Sequence, residues 1–71
     1  MDYQAIIETL GFAAGNERLV RITTLDGQVL IGLPTSLDAG RGASEVFLRP
    51  ADDPDTELAL ALGQIQAVSL V

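Results

Sequence analysis

The side chains that could do chemistry in this sequence are mainly carboxylates, and their densest group is Asp52, Asp53 and Asp55. Carboxylate oxygens are the ligands that hard divalent cations prefer, so this group could hold a metal ion. A calcium-binding loop, however, needs regularly spaced oxygen ligands, a glycine and a distal glutamate, and Pro54 interrupts the run. We therefore predict a solvated acidic turn and no metal site.

The composition leaves few routes to catalysis. The sequence contains no His, no Cys and no Lys. It therefore lacks the commonest general base, the thiol nucleophile and the usual zinc ligands. Asp38 and Glu45 could be imagined as an acid and a base, but no other pattern in the chain supports a reaction. We predict that the protein is not an enzyme and uses no cofactor.

One basic residue stands out, because Arg41 lies between Gly40 and Gly42 in a stretch typical of a loop. An arginine on such a loop could reach a phosphate, a base or a partner's carboxylate. The alternative is a loop residue that only favours solubility. The residues that we predict to contact a ligand or partner are Asp38, Arg41, Asp52, Asp53 and Asp55.

The overall charge restricts the class of partner. The 71 residues include ten acidic side chains and four arginines, which give a formal net charge of −6. This excess of negative charge argues against binding along the phosphate backbone of a nucleic acid, because such binding needs a basic protein face. The N-terminal residues 1–4 lack the basic start of a signal peptide, and no apolar run reaches the roughly 20 residues of a membrane span. We predict one cytoplasmic domain over residues 1–71 without membrane association.

The hydrophobic pattern predicts one helix followed by five short strands. Tyr3, Ile6, Ile7 and Leu10 share one helical stripe, with Asp2 as the N-cap and the glycine at position 11 as the end. Beyond them, apolar and β-branched residues alternate as in strands. The predicted ranges are 3–10 for the helix and 19–25, 28–33, 44–49, 57–62 and 67–71 for the strands.

The second predicted strand has apolar residues on both faces, from Val29 to Leu33, which predicts a central strand or one covered on both sides. The Asp26–Gly27 pair before it is a strong hairpin signal. Gly32 predicts a bulge or sharp bend, and Pro34 predicts a break after it. Five short strands with one strong bend favour a mainly β protein, a small closed SH3-like barrel rather than an open sheet.

In the last two predicted strands, residues 58–62 and 67–71 include no charged side chain. An unprotected edge of this composition invites aggregation unless another strand or the helix covers it. We predict that it pairs with a second copy of the chain and forms a homo-oligomer. The predicted subunit interface consists of Leu58, Leu60, Leu62, Val68 and Leu70.

Residues 20–33, followed by Leu37 and Asp38, resemble the first motif of the Sm-like family, which includes the Hfq proteins. The match consists of the Asp-Gly turn, an apolar residue, a bending glycine and an apolar–Asp pair. The resemblance implies a strongly bent barrel whose fourth and fifth strands join subunits into rings, and an association with RNA. No Asn follows Asp38, and Gly63 has no basic neighbour, so the family's RNA-binding positions do not carry over.

The chain also resembles the Rof-type antiterminators, which bind the Rho protein. The shared features are the Asp-Gly hairpin, the strand 45–48 and the apolar spacing of Leu62, Ile65 and Val68. This second resemblance implies an acidic regulator that binds a basic protein rather than RNA. The sequence thus leaves two functions open: a self-assembling Sm-like binding module, or an acidic module for a basic partner.

Overall fold

The helix and the five strands predicted from the sequence are all present. The computed structural model describes residues 1–38 and 44–71. A 3₁₀ turn, Leu62–Gln64, joins the last two strands. The elements are α1 (Tyr3–Gly15), β1 (Val20–Thr24), β2 (Val29–Asp38), β3 (Glu45–Pro50), β4 (Leu58–Ala61) and β5 (Ile65–Leu70).

The helix begins where the sequence predicts and ends later. Asp2 caps it by accepting a hydrogen bond of 2.7 Å from the Ala5 backbone N–H. The predicted end at residue 10 is wrong, because α1 continues through Gly11 to Gly15. A helical glycine costs about 1 kcal/mol relative to alanine. The extra turn offsets this cost because it buries Ala13 completely in the core.

The five strands form one antiparallel sheet in the order β4-β3-β2-β1-β5. The fold is therefore mainly β, as predicted, with one N-terminal helix. The sheet is open, since the described residues include no pairing between the outer strands β4 and β5. The predicted closure into a barrel is therefore not confirmed; the 3₁₀ turn lies between these two strands in the chain, and α1 packs against β2 and β5.

β2 is the central strand, and it is longer than predicted. Pro34 does not end it, because the register with β3 shifts between Pro34 and Ser36. A proline without an N–H donor is tolerated at such an irregularity. Gly32 is not the site of the bulge. It lies so close to β3 that a Cβ atom would be 2.5 Å from the Arg49 carbonyl oxygen.

The hairpin between β1 and β2 forms at Asp26–Gly27, where Gly27 adopts a φ of 88°. The buried Thr24 organises the turn with its hydroxyl group, which donates to the Asp26 carboxylate. The same oxygen accepts a hydrogen bond of 3.1 Å from the Gln28 backbone N–H. A single buried polar side chain thus fixes both ends of the turn.

The core lies between α1 and one face of the bent sheet. Burial along β1 alternates, with Val20 and Ile22 inside and Arg21 outside. No helix in the described part of the chain is long and apolar enough to cross a membrane. The buried hydrophobic residues are Ile6, Leu10, Ala13, Val20, Ile22, Val46, Leu48, Leu62, Ile65 and Val68.

Candidate functional site

The acidic cluster lies in the exposed connection between β3 and β4. Asp52, Asp53 and Asp55 are all exposed there. The turn is organised by Asp53, whose carboxylate accepts a hydrogen bond of 2.6 Å from the Thr56 hydroxyl group. The described residues contain no group of three carboxylates close enough to hold a metal ion. We refer to residues 51–57 as the acidic turn.

The structure does not bring the predicted contact residues together. Asp38 is exposed at the end of β2, opposite Glu45 at the start of β3. The acidic turn follows Pro50, at the other end of β3. Arg41 lies outside the described residues. Asp38 and the acidic turn therefore belong to two separate surfaces.

The outer edge of β4 presents backbone groups to solvent. The Leu62 N–H donates to the Ser44 carbonyl oxygen at 3.0 Å, so Leu62 points its backbone toward β3. Because backbone direction alternates along an antiparallel strand, Leu60 also faces β3, whereas Ala59 and Ala61 face outward. This edge therefore offers the N–H and C=O groups of two alanines.

The outer edge of β5 has the same character. The Val71 N–H donates to the Leu19 carbonyl oxygen at 3.1 Å, which places Val68 and Leu70 in the outward-facing positions. The Val68 N–H donates to the Met1 sulfur atom at 3.3 Å, which agrees with this assignment. A thioether is a weak acceptor, so Met1 covers this edge only lightly.

Two residues of the predicted subunit interface have their side chains in the core. Leu62 and Val68 are buried, so their side chains do not face outward, although the backbone of Val68 lies on the outer edge of β5. The predicted interface stays a prediction. Leu58 and Leu70 are exposed, and Leu60 is partly buried. Leu62 contributes to the core from the 3₁₀ turn and Val68 from β5.

An apolar groove beside the acidic turn was not predicted from the sequence. Its volume is about 370 Å³. Val29 and Ile31 on β2 are 56% and 39% exposed, respectively, although both belong to the central strand. The apolar residues on both faces of this strand predict a central strand or one covered on both sides; β2 is central, but its face at Val29 and Ile31 is not covered. The groove is lined by Val29, Leu30, Ile31, Leu48, Pro50, Ala51, Asp52 and Leu58.

A second hollow lies between α1 and β5, where Glu8, Thr9, Phe12 and Leu70 surround about 340 Å³. Phe12 is half exposed, and it extends the apolar character of the β5 edge onto the helix. This hollow is shallow and carries one carboxylate, so it supports contact with a surface better than the binding of a small molecule.

Comparison with known proteins gives no match: no family model, no curated protein and no solved structure matches the chain. The resemblances to the Sm-like family and to the Rof-type antiterminators therefore remain predictions. The surface features that bear on function are the two sheet edges, the acidic turn and the apolar groove.

Proposed function

We propose that the chain is a non-enzymatic, Sm-like binding module that self-associates by pairing β4 of one copy with β5 of the next. The observation that carries this proposal is the strand order, which leaves these two strands at opposite edges of one sheet. Pairing them between copies would continue the sheet from chain to chain. In this proposal, the neighbouring copy supplies the strand that a closed barrel would need.

The composition of the edges supports this pairing. Residues 58–71 include no Asp, Glu, Lys or Arg. Proteins protect free edges with charged side chains, prolines or bulges that discourage further pairing. The outward-facing positions carry no such protection. They are Ala59 and Ala61 on β4, and Val68 and Leu70 on β5. Because the two edges differ, each copy would use one edge for each neighbour, as in a ring.

Replacing Ala59 with proline is expected to abolish the assembly. The Ala59 N–H faces away from β3, so proline removes a donor from the intermolecular edge and none from the sheet of the single chain. The measurement is the solution mass by light scattering over a concentration series. We expect the wild type to exceed the mass of one chain and the A59P variant to match it.

The matched control is A59S, which changes the same exposed residue and keeps the N–H donor. This variant should assemble like the wild type, and circular dichroism should show that A59P keeps its β structure. The proposal is wrong if the wild type stays monomeric at every concentration. It is also wrong if the A59P variant is folded and assembles fully.

A second candidate function is the binding of a basic protein, and the acidic turn favours it. Asp52, Asp53, Asp55 and Glu57 are all exposed in this one connection, which contains no arginine. With a net charge of −6, the chain attracts cationic surfaces and repels RNA phosphates. The observed charge therefore supports a basic protein as the ligand over RNA.

Neutralising the acidic turn should weaken the binding of a cationic probe. We expect the double variant D52N/D55N to bind a fluorescent oligolysine about tenfold more weakly than the wild type at low salt. The difference should shrink strongly above about 0.5 M salt, where charges are screened within a few ångströms. Fluorescence anisotropy measures both effects.

The control is the double variant E8Q/E17Q, which removes two exposed carboxylates, one on α1 and one in the connection between α1 and β1. This variant loses two negative charges outside the acidic turn, as many as D52N/D55N, and it should bind nearly as tightly as the wild type. An equal loss in both variants would show a general effect of net charge, and the acidic turn would have no special role.

A further inference from the structure

We infer that the apolar groove beside the acidic turn is a docking site for a short, extended segment of a basic protein. One apolar side chain of that segment would occupy the groove, and neighbouring Lys or Arg side chains would meet the acidic turn. This inference rests on the second proposed function, the binding of a basic partner. It adds the place of binding and the apolar anchor.

The groove exists because β3 ends before it has covered all of β2. Pairing between the two strands begins at Gly32, opposite Pro50. Upstream of that pair, the only hydrogen bond described from the β3 side is the one of 2.9 Å from the Ala51 N–H to the Ile31 carbonyl oxygen. Within residues 1–38 and 44–71, no strand pairs with this flank of β2 at Val29.

This flank also offers backbone hydrogen-bonding groups. Thr24 and Gln28 exchange a backbone hydrogen bond within the hairpin, so Gln28 and Leu30 direct their backbone groups toward β1. By alternation, Val29 directs its N–H and C=O groups away from β1, to the same side as Ile31. An extended peptide could pair with Val29 there, as in strand addition to a sheet edge.

The lining and size of the groove favour one large apolar side chain. Leu30, Leu48, Pro50 and Leu58 have their side chains on one face of the sheet, and Val29 and Ile31 line the groove from the edge of β2. About 370 Å³ is near the lower end of ligand-binding sites, which span roughly 300–1,000 Å³. The groove is therefore suited to a side chain of a partner and too small for a folded surface.

Charge identifies the partner as basic. Asp52 lines the groove itself, and the acidic turn continues from it. Two arginines are near the groove: Arg49 on β3, and Arg21, which lies opposite Ile31 on β1. Both point to the sheet face opposite Leu48 and Pro50, because successive side chains of a strand alternate. A second copy of this chain would bring six further net negative charges, so a cationic segment is the better complement.

The test compares the peptides Arg-Lys-Phe-Lys-Arg and Arg-Lys-Ala-Lys-Arg by fluorescence anisotropy and by two-dimensional amide NMR. We expect the Phe peptide to bind about tenfold more tightly, since burial of one aromatic side chain supplies this factor or more. Its addition should shift the amide resonances of Val29, Ile31 and Leu58.

Two variants locate the anchor. L58T makes the exposed part of the groove lining polar, and it should remove most of the advantage of the Phe peptide without changing the binding of the Ala peptide. The matched control is L25T, because Leu25 is exposed and apolar but lies outside the groove. This control should preserve the tenfold difference.

The outcomes separate the inference from the function on which it rests. If both peptides bind equally at low salt, the groove is not the anchor site, but the binding of basic partners stands. If neither peptide binds, the proposed function and the inference both fail. If the groove resonances shift on dilution of the protein alone and neither peptide affects them, a second copy occupies the groove and the inference is wrong.

Discussion

Replacing Gly32 with alanine is expected to lower the free energy of unfolding by about 2–4 kcal/mol. A Cβ atom at this position would lie 2.5 Å from the Arg49 carbonyl oxygen and 3.0 Å from Leu48 Cγ. The first neighbour is backbone, so it cannot rotate away as the end of a flexible side chain could. Relief requires β3 to move away from β2, which disturbs the pairing of Gly32 with Pro50.

Urea unfolding followed by circular dichroism measures this loss, and Gly63→Ala is its matched control. A Cβ atom at Gly63 would meet nothing within 4 Å, so the G63A variant should stay within about 0.5 kcal/mol of the wild type. Equal stability of the G32A variant and the wild type would mean that β2 and β3 are farther apart at Gly32 than the 2.5 Å contact with the Arg49 carbonyl oxygen requires.

Replacing Leu10 with alanine should cost about 2–5 kcal/mol, the usual range for a fully buried leucine. Leu10 is completely buried in the core, where α1 packs against β2 and β5. A chain of this length has a total stability of about 4–10 kcal/mol. The substitution therefore removes a large part of the stability, and we expect the transition midpoint to fall sharply.

The comparison variant is Phe12→Ala, on the same helix. The Phe12 side chain is 50% exposed, so its removal leaves no closed cavity and should cost about 1 kcal/mol or less. Thermal and urea unfolding of both variants give the contrast. A larger loss for F12A than for L10A would mean that α1 packs on the sheet through a different face.

The parts of the fold that follow local rules could be predicted from the sequence. Asp2 and the apolar stripe determine the start and the buried face of α1 through contacts within the helix. The Asp-Gly pair determines the hairpin through contacts within a few residues. The end of α1 and the course of β2 could not be predicted in this way. Gly11 and Pro34 both disfavour continuation locally, but the burial of Ala13 and the register shift in β2 allow both elements to continue.

The candidate site was predictable to a similar extent. The charge of the acidic turn predicts that it is exposed. The alternation of leucine and alanine at residues 58–62 predicts only that Leu58, Leu60 and Leu62 share a face. Burial along that face rises from exposed at Leu58 to complete at Leu62. The gradient depends on where β3 ends and where α1 lies, which no local pattern contains. The groove at Val29 has the same origin.

The position of β1 between β2 and β5 has a consequence for the order of folding. Its pairing with β2 closes a short loop, whereas its pairing with β5 joins Val20 to Leu70 and must overcome a much larger loop-closure entropy. We expect the hairpin to form early and β5 to dock late. Until β5 docks, the edge of β1 that faces away from β2 is unpaired, and this interval is when the protein is most exposed to misassembly.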